Sequence, residues 1–361
     1  MGLRRPFRMA SAGVGIAGLA VFLVPSAPAF GATITVNPGH SIQAAVNAAH
    51  AGDTIRVTTG TYRESVEVTK SLNIIGDGQG STILQPPASA PTGESPACFD
   101  PSDPSSVNGF CTHGTFDSHG NVVTPVGPVR VSGFTVKNFG GTGVIFFGAS
   151  SPHVDHNTFL NNAEYGTAAF VSSNDFFDSN ISNKNGEAGI YLGDSPSANG
   201  TVTNNQTMNN ANFGIFVRDA SGQAAAPGTV ANNSTRGNCA GILFLNTGAN
   251  PANWNAFGNL STANDSSCQG DEGGPTAGGI GVGIDGVNNV NLHDNAIQNN
   301  VPSAGPVQLT GGVAVVAGSS HTTVTKNQIT RNSLDIFWDR SGTANTFSGN
   351  VCHTSVPSGL C

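Results

Sequence analysis

Charge is scarce in this chain. Asp, Glu, Lys and Arg supply 10% of its 361 residues, only four of them lysines, and the formal net charge is −8. Nucleic acid and anionic lipid are held by clustered Lys and Arg, so neither is an expected partner. Methionine is rarer still, at three residues, which leaves no thioether cluster for a soft metal. No two cysteines form a Cys-x-x-Cys pair and none keeps a Cys/His zinc spacing, so structural disulfides are expected before metal ligands. A membrane-spanning run is missing too. The longest apolar stretch, Val14 to Val24, falls short of the ~20 residues a membrane helix needs.

That stretch sits in a leader. Arg4, Arg5 and Arg8 precede it, and Ala27-Pro28-Ala29 follows with the small residues of a signal-peptidase site, Phe30-Gly31-Ala32 offering a second option. Basic, apolar and small-residue regions in that order make a secretory signal. Residues 1–29 are therefore expected to be removed and residues 30–361 to be exported as one extracellular, monomeric domain. Loss of the three arginines would take the net charge from −8 to −11. Cysteines in an exported chain are expected to pair. Proximity favours Cys98–Cys111, Cys239–Cys268 and Cys352–Cys361.

What the chain has in abundance is a repeat. An apolar residue, two spacers and Asn are followed by a second Asn five residues on: Val154…Asn157…Asn162, Phe177…Asn180…Asn185, Val202…Asn205…Asn210, Val230…Asn233…Asn238. Ala256…Asn259…Asn264, Leu292…Asn295…Asn300 and Val324…Asn327…Asn332 continue it, and Phe347…Asn350 begins a truncated turn. The second asparagines lie 23, 25, 28, 26, 36 and 32 residues apart. After each comes Gly with alternating apolar residues, as in Gly189-Ile190-Tyr191-Leu192, Gly214-Ile215-Phe216-Val217 and Gly241-Ile242-Leu243-Phe244. Alternation with period two marks strands. A repeat of this length with short strands and Asn/Gly corners is one turn of a β-solenoid. The fold expected is all-β, a right-handed parallel β-helix of about ten coils, roughly 50 Å long at ~4.8 Å per coil. Asparagines at equivalent corners would hydrogen-bond from coil to coil, and Asn tolerates the left-handed backbone that corners require.

Two regions depart from the repeat. Ile42, Ala45, Val46 and Ala49 fall at helical spacing behind Ser41, a fair N-cap, and predict a helix capping the open end of the solenoid. Residues from about 86 to 128 are rich in Pro, Ser, Gly and Asp and carry Cys98 and Cys111. They read as one long insertion stapled by its own bridge.

Ser41-Ile42-Gln43-Ala44-Ala45, Gly52-Asp53-Thr54-Ile55, Gly60-Thr61-Tyr62-Arg63-Glu64 and Ile75-Gly76-Asp77-Gly78 resemble the opening of pectin-lyase-like β-helix proteins. Pectin methylesterases and the periplasmic proteins that mature nitrous-oxide reductase share it. The resemblance implies fold rather than chemistry. The QDTL- and DFIFG-like strands of pectin methylesterases are absent, and of the polygalacturonase segments only Ser118-His119-Gly120 comes near. Ser151-Pro152-His153-Val154-Asp155-His156 echoes the DPHE-like segment of mannuronan epimerases without its first Asp and its Glu. A metallochaperone role is opposed by the missing Met and Cys clusters.

Several constellations could carry chemistry. If residues after each Gly alternate in and out, then Ile145, Ala168, Tyr191, Phe216, Leu243, Ala314 and Phe337 point outward. Tyr191, Phe216 and Phe337 would then offer rings to a sugar, unless the insertion covers them. Asp194 and Asp219 end adjacent strands beside Arg218, with Asn246, Asp285 and Asp339 near the same level. Two carboxylates one coil apart would lie ~5 Å from each other, the separation of retaining glycosidases. They could equally hold Ca²⁺ or serve as turn caps. Resemblance to polysaccharide lyases of this fold implies Arg218 as base or clamp. His153, Asp155 and His156 form one histidine group, and His113, Asp117 and His119 another, each able to ligate a metal or simply to lie in solvent. Asp265, Asp271 and Glu272 faintly suggest a calcium loop. The expected function is a polysaccharide lyase or glycoside hydrolase acting on a glycan, with a non-catalytic glycan- or cell-surface-binding solenoid as the alternative.

Overall fold

A computed structural model of the chain describes residues 31–99, 102–103, 105–194, 199–218, 228–246, 253–269, 275–303 and 305–361. The leader lies outside the described residues, as do Asp219, Asp271 and Glu272. The body from Gly31 to Cys361 forms one unit. Among the described residues no helix is long and apolar enough to cross a membrane.

Successive turns of the chain build three sheets of parallel strands, most turns adding one strand to each. Sheet A has 12 strands, from Thr33–Val36 to Thr346–Ser348, and sheet B has 10, from Gly60–Arg63 to Gln328–Thr330. Sheet C has 12, 11 of them in a parallel run from Val66–Val68 to Ser355–Val356 and one, Ser267–Cys268, paired antiparallel with Ala277–Asp285. Strands enter in the order A, B, C, as in Val129–Ser132, Thr135–Lys137 and Val144–Phe147, and then repeat one layer on. Like residues therefore stack. Val131, Val154, Phe177, Val202, Val230, Ala256, Leu292 and Val324 are successive register partners in sheet A and are fully buried. Ile190, Ile215, Ile242, Val282, Val313 and Ile336 do the same in sheet C. This is a parallel β-helix whose interior is filled by stacked columns, apolar in sheets A and C and turning to Ser182, Thr207, Thr235 and Ser261 in the middle of sheet B.

The asparagines form two buried files. The first begins at Asn157, whose Oδ1 accepts the Phe134 N–H, and in it Asn180, Asn205, Asn233, Asn259, Asn295, Asn327 and Asn350 each accept, at Oδ1, the side-chain amide and backbone N–H of the Asn one coil earlier. The Nδ2 group also donates to a main-chain carbonyl, as from Asn205 to Phe177 at 2.9 Å. The second file, Asn162 to Asn332, repeats the pattern and ends on Asp335, whose Oδ1 accepts from Asn332. One detail differs from expectation. The left-handed backbone falls on the residue before each ladder Asn: His156, Ser179, Lys184, Asn204 and Lys326 have φ between 54° and 57°. The ladder Asn is chosen for its amide, and its predecessor makes the corner.

The strand-opening glycines have a steric cause. A Cβ at Gly143, Gly166, Gly189 or Gly214 would come within 2.5–2.7 Å of the carbonyl oxygen of the corresponding Gly in the next coil. Coil-to-coil approach, rather than turn geometry, requires them.

The capping helix spans Ile42–Ala48 and buries Ile42, Ala45 and Val46 against the first coil. Ser41 Oγ accepts from Ala44 N–H at 3.1 Å, and Glu64 accepts the Ile42 and Gln43 N–H groups. Lys70 Nζ donates to the carbonyls of Val46 and Ala49. A carboxylate at the amino end and an ammonium at the carboxyl end both oppose the helix dipole.

The long insertion requires correction. Phe110–His113 is a strand of sheet C, paired with Val66–Val68 on one side and Val144–Phe147 on the other. The segment is thus two excursions, one before this strand and one after it that holds the hairpin Thr115–Phe116 with Val122–Thr124. The Cys98–Cys111 bridge ties the first excursion to a sheet strand. Cys239 pairs with Cys268 and Cys352 with Cys361, the local pattern proximity favours.

Candidate functional site

The outward row of sheet C follows the expected register, Ile145, Ala168, Tyr191, Phe216, Leu243, with Ala314 and Phe337 further on. It is not an open platform. Tyr191 is 1% exposed and Phe216 3%. They pack in a second apolar layer with Phe213, Ile280 and the cysteines of two bridges. Parallel sheets are normally covered on both faces, and here the outer face carries its own core. Phe337 stays partly exposed but is separated from Phe216 by several coils. The sugar-stacking role expected of Tyr191 and Phe216 is therefore corrected. A depression of about 540 Å³ on this side is lined by Phe147, Tyr165, Phe170, Glu164 and Glu187.

Asp194 and Arg218 do meet. Arg218 Nη1 lies 3.8 Å from Asp194 Oδ1, and Tyr191 Oη donates to Asp194 Oδ2 at 2.8 Å. Burial, with the Asp194 charge alongside, drives the Tyr191 hydroxyl far above the usual phenol range. Asp194 is thus engaged by a cation and a phenol, and its expected partner Asp219 falls outside the described residues. Asp285 shares the row of Arg218 and Leu245. Burial first, then the Asp339 charge, raises its carboxyl.

Sheet A presents the contrasting face. One outward row reads Arg130, His153, Phe176, Thr201, Thr229, Asn255, Asn291 and Thr323. The neighbouring row reads Ser132, Asp155, Asp178, Thr203, Ala231, Phe257, His293 and Thr325. Their convergence is at Asp155. Arg130 donates from Nε to Oδ1 and from Nη2 to Oδ2, both at 2.7 Å, and Ser132 Oγ donates at 2.9 Å. His156 Nδ1 is 2.9 Å from Oδ2, and His153 Nε2 is 3.3 Å from Oδ1. Burial alone would raise this carboxyl, but hydrogen bonds from Arg130, His156 and Ser132 outweigh it and hold Asp155 at about 2. The anion is buried while Arg130 keeps 41% of its side chain exposed.

His153 is poised differently. Burial lowers its pKa below the ordinary 6.5, against the pull of Asp155, which favours the neutral ring and its lone pair. Its ring meets Phe176 edge-on at 4.4 Å, and Phe176 is one of the few exposed large apolar side chains. Further along the same face, Phe257 stacks on His293 at 5.3 Å and 10°. Asp178, one coil past Asp155, accepts from Ser179, Thr203 and Asn204, each at 2.7 Å. Two ring pairs and a run of hydroxyl and amide groups thus share one straight face.

Sequence reasoning noticed His153, Asp155 and His156 but not Arg130, which carries the cluster. Its signal was available: Val129-Arg130-Val131 puts Arg outward, one coil before Asp155. The other histidine group disperses. Asp117 accepts the N–H groups of His119 and Asn121 as a turn cap, whereas His113 Nε2 lies 2.7 Å from Glu67.

Residues 105–257 match the family model described as right handed beta helix region. No curated protein is significantly similar in sequence. Among solved structures, the A-module of mannuronan C-5 epimerase AlgE4 from Azotobacter vinelandii is 16% identical, with a TM-score of 0.51 over 87% of this chain and 91% of that one. An alginate lyase from Paenibacillus sp. is 15% identical, with a TM-score of 0.51 over 89% and 99%. The catalytic domain of Agl-KA is 16% identical, with a TM-score of 0.57 over 91% of this chain and 66% of that one. At these identities the likeness establishes the right-handed parallel β-helix fold and nothing finer.

Proposed function

We propose that this is an exported protein that binds an extended acidic polysaccharide along the open face of sheet A and abstracts a proton from it at His153. The single observation that carries the reading is the Arg130–Asp155–His153 constellation, set on a polar, ring-bearing face. Successive coils rise ~4.8 Å, comparable to the length of one sugar residue, so a glycan lying along the solenoid axis meets an equivalent position at each unit. Phe176 and the Phe257–His293 pair offer apolar ring surface for sugars.

The chemistry follows from the charges. Asp155 is locked as an anion and cannot act as a general acid near neutral pH, which argues against two-carboxylate hydrolysis. It orients Arg130 and the imidazoles, much as a carboxylate orients the base of a catalytic triad. Exposed N–H groups of Arg130 suit a uronate carboxylate. Neutral His153 then takes the proton from the carbon next to that carboxylate. Departure of the neighbouring glycosidic oxygen with its bonding pair, protonated by water as the carbon–carbon double bond forms, gives elimination, and protonation of the same intermediate by water on the opposite face gives inversion. The named epimerase and alginate lyase show that the fold accommodates acidic glycans. Three disulfides fit an oxidising, extracytoplasmic setting.

The test is incubation with alginate, polygalacturonate and a neutral glucan, following ultraviolet absorbance for unsaturated ends and NMR for inverted residues. Turnover of a polyuronate that falls at least ~100-fold in His153→Gln supports the proposal. Retention on a polyuronate column without turnover reduces it to a binding module, the reading favoured by the saturation of Asp155. Turnover abolished by Asp194→Asn but not by His153→Gln moves the site to the Asp194–Arg218 pair, with Ca²⁺ then a candidate cofactor.

A further inference from the structure

We infer that Cys98, Cys111, His113 and Glu67 form a zinc site whenever the Cys98–Cys111 disulfide is open, so that this corner of the molecule holds either a disulfide or a metal. Nothing in the glycan reading bears on it, since these residues lie on the outer face of sheet C near the capping helix.

Coil stacking assembles the ligands. Glu67 and Cys111 are register partners on adjacent strands, and His113 follows on the same face. The ligand atoms of Glu67, Cys98 and His113 lie within 4.8 Å of one another, and Cys111 is bonded to Cys98. Both cysteines are buried, at 2% and 1% exposure. Two thiolates, one imidazole and one carboxylate make a tetrahedral donor set that zinc accepts.

The orientation of His113 is the second observation. Its Nδ1 lies 2.8 Å from the Gly114 carbonyl. A carbonyl only accepts, so Nδ1 carries a proton, and a second proton lies between Nε2 and Glu67 Oε1, which are 2.7 Å apart. An imidazole fixed through one nitrogen by a main-chain carbonyl, with the other aimed into a cluster of donors, is the arrangement that metal-bound histidines adopt. Glu67 also lines a cavity of about 330 Å³ together with Gln43, Glu64 and Glu94.

In the oxidised state the sulfurs are poor donors. A trialkylphosphine with one water converts the disulfide to two thiols and becomes the phosphine oxide. Zinc then displaces both thiol protons and the proton held between His113 Nε2 and Glu67 Oε1, leaving two Zn–S bonds, one Zn–N and one Zn–O. Re-oxidation by a disulfide oxidant would expel the ion.

The test uses the full exported chain carrying Cys239→Ser, Cys268→Ser, Cys352→Ser and Cys361→Ser, so that only this bridge remains. After phosphine reduction under anaerobic conditions, Co²⁺ should bind at one equivalent with thiolate-to-cobalt charge-transfer absorption, and Zn²⁺ should displace it. Oxidised protein should take up none. His113→Ala and Glu67→Gln should each weaken binding at least ~10-fold, while zinc should slow alkylation of both cysteines. Should the reduced chain lose its fold, metal-induced recovery of β-sheet circular dichroism, absent in His113→Ala, reads the same site. Equal uptake by oxidised protein, no uptake by reduced protein, or binding indifferent to His113→Ala overturns the inference.

Discussion

At the scale of single residues, two carboxyls less than one coil apart have opposite linkage to pH. Asp175 lies inside sheet A with its Oδ1 unpaired, and burial pushes its pKa up to about 7. An acid raised in the folded state stabilises the protein fully below its unfolded value of 3.8. That contribution fades as pH climbs to about 7, at about 1.4 kcal/mol per pH unit. Asp175→Asn should therefore gain on the parent as pH rises, and be the more stable of the two at pH 8. Urea midpoints across that range check it, and a difference that stays constant with pH rules it out. Asp155 runs the other way. It is held at about 2 against an ordinary 3.8, so its contribution is present above 3.8 and lost as pH falls through 2. Asp155→Asn should flatten the acid limb of the stability curve. It should also cost about 2 kcal/mol at pH 7, since Arg130 loses its anionic, two-pronged partner; a cost within error of zero would mean that the cluster organises nothing.

At the scale of elements, the asparagine file and the glycine column do different work. Asn205 is 1% exposed and makes hydrogen bonds to both neighbouring coils. Asn205→Ala strands several buried partners and should cost about 3 kcal/mol. Gly214→Ala places a Cβ 2.5 Å from the Gly241 oxygen, and should cost about 1–3 kcal/mol through overpacking. Denaturant midpoints measure both, and losses below about 0.5 kcal/mol would contradict the roles assigned. Both features were legible beforehand because the solenoid prints its period on the sequence. The position of the left-handed corner was less so, because Ser179, Lys184 and Lys326 carry no turn signature of their own. Nor was the sheet strand Phe110–His113, whose Phe-Cys-Thr-His is flanked by irregular chain and lacks the Asn markers of later coils.

At the scale of the whole molecule, sequence alternation told which side chains leave the barrel but not which side stays open. Tyr191 and Phe216 point outward as expected and are nonetheless buried, because corner segments and two disulfides fold over sheet C. Covering is a long-range event that a periodic pattern does not encode. The same ignorance hid sheet A, where Arg130 and Asp155 meet across 25 residues. Capping belongs to this scale as well. Ile42→Asp should loosen the helix from the first coil and expose strand edges. Concentration-dependent association in sedimentation should follow, and a variant that stays monomeric would assign the helix a lesser part. The central claim, that glycan runs along sheet A, is tested most directly by hydroxyl-radical footprinting with and without a polyuronate. Oxidation of His153, Phe176, Phe257 and His293 should fall together while Phe147, Tyr165 and Phe170 react as before. Protection confined to those three sheet C rings, with the sheet A side chains unchanged, would contradict it.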